Sequence, residues 1–109
     1  MGAGFLELQL GVKTANGDTD TESVFLGGGF PMSHSVHCIV TGAPAAANVR
    51  LYGSLDGTNW FDLTGAQVAT SSILFHVVNR PVAYVKANLA DLSGGTSPTF
   101  TFRYLGIKN

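Results

Sequence analysis

Charge is the scarcest commodity in this chain. Only 12% of its 109 residues are Asp, Glu, Lys or Arg, about half of the usual ~25%. A surface so poor in charge is expected to be buried in part against partners. The net charge is −1, and the six Lys and Arg are scattered, which excludes the clustered basic footprint of a nucleic-acid binder. Cys38 is the single cysteine, so no intrachain disulfide framework exists and packing or assembly must hold the fold. No apolar run approaches the ~20 residues of a membrane helix. The opening MGAGFLELQL lacks the basic start and cleavage site of a signal peptide, and Leu6 stands where myristoylation wants Ser or Thr. Synthesis in a cytoplasm is therefore expected. Disorder is excluded by a hydrophobic fraction of 45% and the low net charge.

What the chain does have is alternation. The length suits one domain over residues 1–109. In FLELQLGV, Leu6, Leu8, Leu10 and Val12 alternate with Glu7, Gln9 and Gly11, as in a strand with one buried face. SVHCIVTG places Val36, Cys38 and Val40 together. NVRLYGSL sets Val49, Leu51 and Leu55 against Arg50 and Tyr52. SSILFHVV is a nearly continuous apolar run. VAYVKANLADL sets Ala83, Val85, Ala87 and Leu89 against Tyr84, Lys86 and Asn88, and TFTFRYLGI puts Phe100, Phe102 and Tyr104 on one face. Turn signals separate these runs, among them Asn16-Gly17 and SGGTSP. Pro44 makes APAAA a connection rather than a helix. About eight short strands with no capped helical segment read as an all-β chain, an antiparallel β-sandwich of jelly-roll-like type.

The most specific stretch is YGSLDGTNWFDL, Tyr52 to Leu63. Asp56 can accept hydrogen bonds from downstream amides, and Gly57 tolerates the positive φ of a turn. WFDL then returns as the partner strand of a hairpin. Trp60 at the start of that strand is expected to pack into the structure, since a lone large aromatic beside a turn is usually buried. Asp56, Gly57 and Trp60 are accordingly read as turn and core residues. The alternative is an exposed Trp60 that stacks on a sugar, with Tyr52 or Tyr104 beside it.

The run IVTGAPAAANVRLYGSLDGTNWFDL, followed by RPVAYVKANLADLSGGTSPTFTFRYLG, resembles a recurrent group of small virion proteins of tailed bacteriophages. The resemblance rests on a V-x-G-x-P segment (Val40 to Pro44), an L-x-G-S-x-D-G-x-x-W hairpin (Leu51 to Trp60) and a Y-V-K-A-N strand (Tyr84 to Asn88) before a Gly-rich turn. It covers about the last two-thirds of the chain. It implies a structural role on the particle, as a capsid decoration (cement) protein, a head fibre or a tail component. The expected partners are other copies of the chain, as a homotrimer, and the phage major capsid protein or other virion proteins. The expected location is the virion, assembled in the host cytoplasm. Residues 1–23 precede the family-like motifs and are expected to serve docking more than the core, with Leu6, Leu8, Leu10 and Val12 forming an edge strand that contacts a neighbour.

Candidate chemistry is thin. His34 and His37 would point to opposite faces of a strand, and one cysteine cannot complete a zinc site with them and His76. Asp18, Asp20 and Glu22 are the one acidic concentration, but the remaining positions of a calcium loop are missing, so a solvated loop is expected. Gly27 to Gly29 precede neither a Lys-Ser/Thr pair nor a helix, and so form no phosphate loop. No nucleophile elbow occurs. No catalytic, cofactor or metal residue is assigned. The leading expectation is a non-enzymatic virion protein that stabilises a capsid. The alternative is a tail- or fibre-associated carbohydrate-binding module for host adsorption.

Overall fold

The computed structural model describes residues 5–24 and 29–108, and these form two antiparallel sheets packed as a sandwich. The strands in order are β1 (Phe5–Lys13), β2 (Gly17–Asp18), β3 (Glu22–Ser23), β4 (Ser33–Thr41), β5 (Ala46–Ser54), β6 (Phe61–Asp62), β7 (Gln67–Val68), β8 (Ile73–Val77), β9 (Tyr84–Ser93) and β10 (Thr99–Ile107). The expected all-β class is thus the observed one. The strand number is ten because β2, β3, β6 and β7 are two-residue pieces, too short to carry an alternation. Gly27 and Gly28 of the triple glycine lie outside the described residues.

One sheet has the order β1-β10-β4-β8 and the other β2-β9-β5-β6, with β3 also on β9 and β7 also on β5. The chain crosses between sheets at six of the nine connections between these strands. Among the described residues, β5 and β6 are the one pair of consecutive strands bonded to each other, through Tyr52↔Asp62 and Gly53↔Phe61. YGSLDGTNWFDL is therefore a hairpin, as its turn residues predicted.

Alternation fills the space between the sheets with Val36 and Cys38 from β4, Val49 and Leu51 from β5, Phe75 from β8, Val85, Ala87 and Leu89 from β9, and Phe100, Phe102 and Tyr104 from β10. Burial of each large side chain stabilises the fold by about 1.5–3 kcal/mol. Two inward assignments fail. Leu55 is 70% exposed because β5 ends at Ser54 and the chain has already entered the turn. Val12 is half-exposed although Leu10 is buried and Leu6 and Leu8 pack on the core. A bulge between Gln9 and Gly11 in the β1–β10 ladder shifts the parity of everything after it.

β1 lies at the edge of its sheet, as expected of the candidate docking strand. The segment it begins also contributes to the core. Besides Leu10, Thr19 is buried; its amide donates to the Ala87 carbonyl at 2.8 Å, and its Oγ1 accepts from the Ala87 amide at 2.9 Å.

Candidate functional site

The β5–β6 hairpin is built on two carboxylates. Asp56 Oδ1 accepts from the amides of Thr58 and Asn59, each at 2.8 Å, and Oδ2 accepts from Asn59 Nδ2 at 2.7 Å. Buried Ser54 closes the other side: its Oγ donates to Asp56 Oδ1 at 3.0 Å and accepts from the Gly57 amide at 2.9 Å. The bonds from Asn59 and Thr58, with those of the Asn59 and Ser54 side chains, hold the Asp56 carboxyl well below the usual carboxylate range. Gly57 has φ +79°, and a Cβ there would lie 3.6 Å from the Tyr84 ring. Asp56 and Gly57 thus do what the sequence assigned to them. After the turn, Asp62 Oδ1 accepts from the Gly65 amide at 2.8 Å, while Oδ2 pairs with Arg50 at 2.9 Å.

Trp60 is placed differently from the expectation. It is half-buried and lies outside the core, with the Lys86 ammonium 4.3 Å from its ring centroid. The inner side beside the hairpin is tightly filled at Gly53, where a Cβ would come within 2.6 Å of Leu63 and 2.8 Å of Val82. The ring folds onto the outer face of the six-stranded sheet instead. There β5 and β9 run side by side in the register Tyr52↔Lys86 and Arg50↔Asn88. Lys86 is ion-paired to Asp18 at 2.9 Å and lies 5.9 Å from the Tyr52 ring centroid. Asn88 donates to Asp18 at 2.8 Å. Partial burial would raise Asp18, but its bonds from Asn88 and Lys86 outweigh this and hold the carboxyl below its usual range. Asp18 is therefore spoken for within the sheet.

The outer face so formed carries Trp60, Tyr52, Tyr84, Lys86, Arg50 and Asn88. Alternation in VAYVKANLADL already separated Tyr84, Lys86 and Asn88 from the core side. What the sequence lacked was the neighbour: β5 ends at Ser54 and β9 begins only at Tyr84, and nothing local announces their pairing. Tyr104, the other tyrosine considered for an exposed aromatic, is 1% exposed and belongs to the core.

Two further surfaces stand out. A groove of about 370 Å³ opens at the β6 side of the sandwich, lined by Leu55, Phe61, Leu63, Pro81 and Val82, with Phe61 65% exposed. A more polar groove of about 280 Å³ crosses the outer face of the four-stranded sheet between Glu7, His37, Leu74, Arg103 and Leu105.

The titratable groups that could serve chemistry are dispersed. His34 is fully buried: its Nε2 donates to the Arg80 carbonyl at 2.6 Å, which leaves Nδ1 to accept from the Tyr104 hydroxyl. His37 and His76 are exposed on the outer face of the four-stranded sheet. Burial pushes the Cys38 thiol up to about 12. Among the described residues, no three His, Cys, Asp or Glu side chains come together as a metal site.

No family model matches the chain, and no curated protein does. Solved structures do. The SPBc2 prophage-derived protein YomS superposes with a TM-score of 0.60 over 95% of this chain and 93% of its own, at 11% identity. A structure of the M60 catalytic domain with the CBM51-1 and CBM51-2 domains from Clostridium perfringens ZmpB superposes with a TM-score of 0.53 over 90% of this chain and 11% of its own, at 17% identity. At such identities the likeness is one of fold.

Proposed function

We propose that the chain is a non-enzymatic structural protein of a bacteriophage virion, acting as a capsid decoration (cement) protein that assembles as a homotrimer and binds the major capsid protein. The observation that carries this reading is the asymmetry of the sheet edges. The six-stranded sheet ends in two-residue strands, whereas the four-stranded sheet ends in β1, nine residues long, and β8, five residues long. Long open edges are templates for pairing with another chain. Apolar side chains accompany them: Phe5 and Val12 on β1, Leu74 on β8 and Val78 just beyond it are all at least half-exposed.

The motif resemblance and the shared fold with a prophage-derived protein support a phage context. The dispersed histidines and the sealed cysteine support a role without catalysis. Light scattering on the purified protein, with and without empty shells of the cognate major capsid protein, tests the proposal. A mass three times that of the chain and saturable cosedimentation with shells are expected. A stable monomer that ignores the shells overturns it.

A further inference from the structure

We infer that the outer face of the six-stranded sheet is a binding face for a neutral saccharide, separate from the edges assigned to assembly. The first support is where the amphipathic aromatics went. The chain has one Trp and three Tyr; Trp60, Tyr52 and Tyr84 gather on this face, and only Tyr104 is used in the core. Each of the three is half-buried. Their rings are therefore partly covered while keeping surface open to solvent: Gly57 runs close enough to the Tyr84 ring that a Cβ there would touch it, and Lys86 lies over Trp60. Large, fixed, amphipathic rings give contact area at low entropic cost. The apolar C–H face of a pyranose fits such a ring.

The second support is the charge balance. Lys86 is neutralised by Asp18 and Arg50 by Asp62, and Asp91, bonded by the outward Asn48, adds a third carboxylate, so both cations of the face are paired and it holds no excess of positive charge. An anionic ligand such as a nucleic acid or sulfated polymer needs unpaired Lys or Arg, and here both are taken. Beyond these internal bonds, the Asn88 amide oxygen and the spare lone pairs of the carboxylates can accept from vicinal hydroxyls. The ligand class that asks for aromatic rings and paired hydrogen-bonding groups, but no net charge, is a neutral sugar.

The third support is rigidity. The rings stand on β5 and β9, adjacent strands of the second sheet, and on a hairpin pinned by Asp56 and Asp62. Little ordering would be left to do on binding.

The test is affinity electrophoresis through gels containing soluble neutral polysaccharides (a β-glucan, a galactomannan, a xylan and a neutral bacterial wall polysaccharide), with heparin as anionic control. Trp60 is the one tryptophan, so its emission reports binding at this face directly. Retardation by at least one neutral polysaccharide is expected, together with a change in Trp60 emission. The retardation should weaken by about tenfold or more in Trp60→Ala and Tyr52→Ala, while the mass in light scattering stays that of the parent protein. Asn88→Ala, which removes a hydroxyl partner and leaves every ring, should weaken it as well and decides the matter if Trp60→Ala fails to fold. Unchanged mobility in all four gels, retardation by heparin alone, or binding that survives the Tyr52 and Asn88 substitutions overturns the inference. Because mass is read separately, failure here leaves the assembly proposal standing, and the reverse also holds.

Discussion

Trp60 and Phe102 show how little residue type alone says about energy. Both are large aromatics beside apolar sequence, yet Phe102 is fully buried whereas Trp60 lies on an outer face over an ammonium group. Phe102→Ala should cost about 3–5 kcal/mol, the range of a truncated core aromatic. Trp60→Ala loses one partly exposed cation–π contact and some covered surface, and should cost only about 1–2 kcal/mol. Urea denaturation of the two variants checks this; equal losses would place Trp60 in the core after all. His34 makes a prediction of another kind. Burial lowers its pKa, with the bond to the Arg80 carbonyl acting the other way. The neutral ring is therefore the form that folds. Its contribution is fully present above the unfolded value of about 6.5 and is lost as pH falls from there through the lower folded value. The urea midpoint should drop between about pH 7.5 and pH 5.5, and His34→Gln should flatten that slope. A wild-type midpoint that stays level across this window counts against it.

At the scale of elements, two sheet-crossing connections lock together at one end of the sandwich. The β4–β5 connection carries Gly42-Ala43-Pro44 and the β9–β10 connection carries Gly94-Gly95. Thr96 N–H donates to the Gly42 carbonyl at 2.8 Å, and Ala45 N–H donates to the Ser93 carbonyl at 2.8 Å. Gly95 has φ +82°, and a Cβ there would sit 2.6 Å from the Gly42 carbonyl oxygen. Gly65 has φ +73° with nothing within 4 Å. Gly65→Ala should therefore cost about 1–2 kcal/mol, the strain of a left-handed backbone alone, and Gly95→Ala clearly more, because backbone must also move. Thermal unfolding of the pair isolates the close approach; equal shifts would show that the loops are not interlocked. This contact also shows where sequence reading ends. Alternation identified β1, β4, β5, β9 and β10 and most of their inward residues, because each signal is local. Three errors came from places where parity is set by something else: the bulge before Val12, the end of β5 before Leu55, and the two-residue β6 after Trp60. The outer face and the interlocked loops join segments far apart in the chain, and no spacing within either segment encodes the pairing.

For the whole molecule, the question is which boundary meets a neighbour. The six-stranded sheet has its edges broken into short pieces, a common means of discouraging pairing, while the four-stranded sheet leaves β1 and β8 open. If one copy's β1 pairs with the β8 of the next, the contact is head-to-tail, and such contacts close into rings when the rotation permits. That geometry accommodates a trimer. Deleting β1 is a poor test, because Leu10 is buried and Leu6 and Leu8 pack on the core, so the truncated chain would unfold for reasons unrelated to assembly. Charges at the outward positions separate the two effects. Phe5 and Val12 are 57% and 50% exposed, so Phe5→Lys and Val12→Lys should change the stability of the single chain by only about 0.5 kcal/mol. A lysine on an edge strand opposes pairing, and the double variant should keep its β-type circular dichroism while its mass falls to that of one chain. Leu74→Lys, on β8 and 70% exposed, should do the same if the ring runs from β1 to β8. Dissociation by the β1 pair but not by Leu74→Lys would indicate β1 pairing with its own copy, which closes at two subunits. An assembled mass that withstands all three substitutions would remove the edges of this sheet from the interface and leave the apolar groove around Phe61 as the surface to which assembly must be traced.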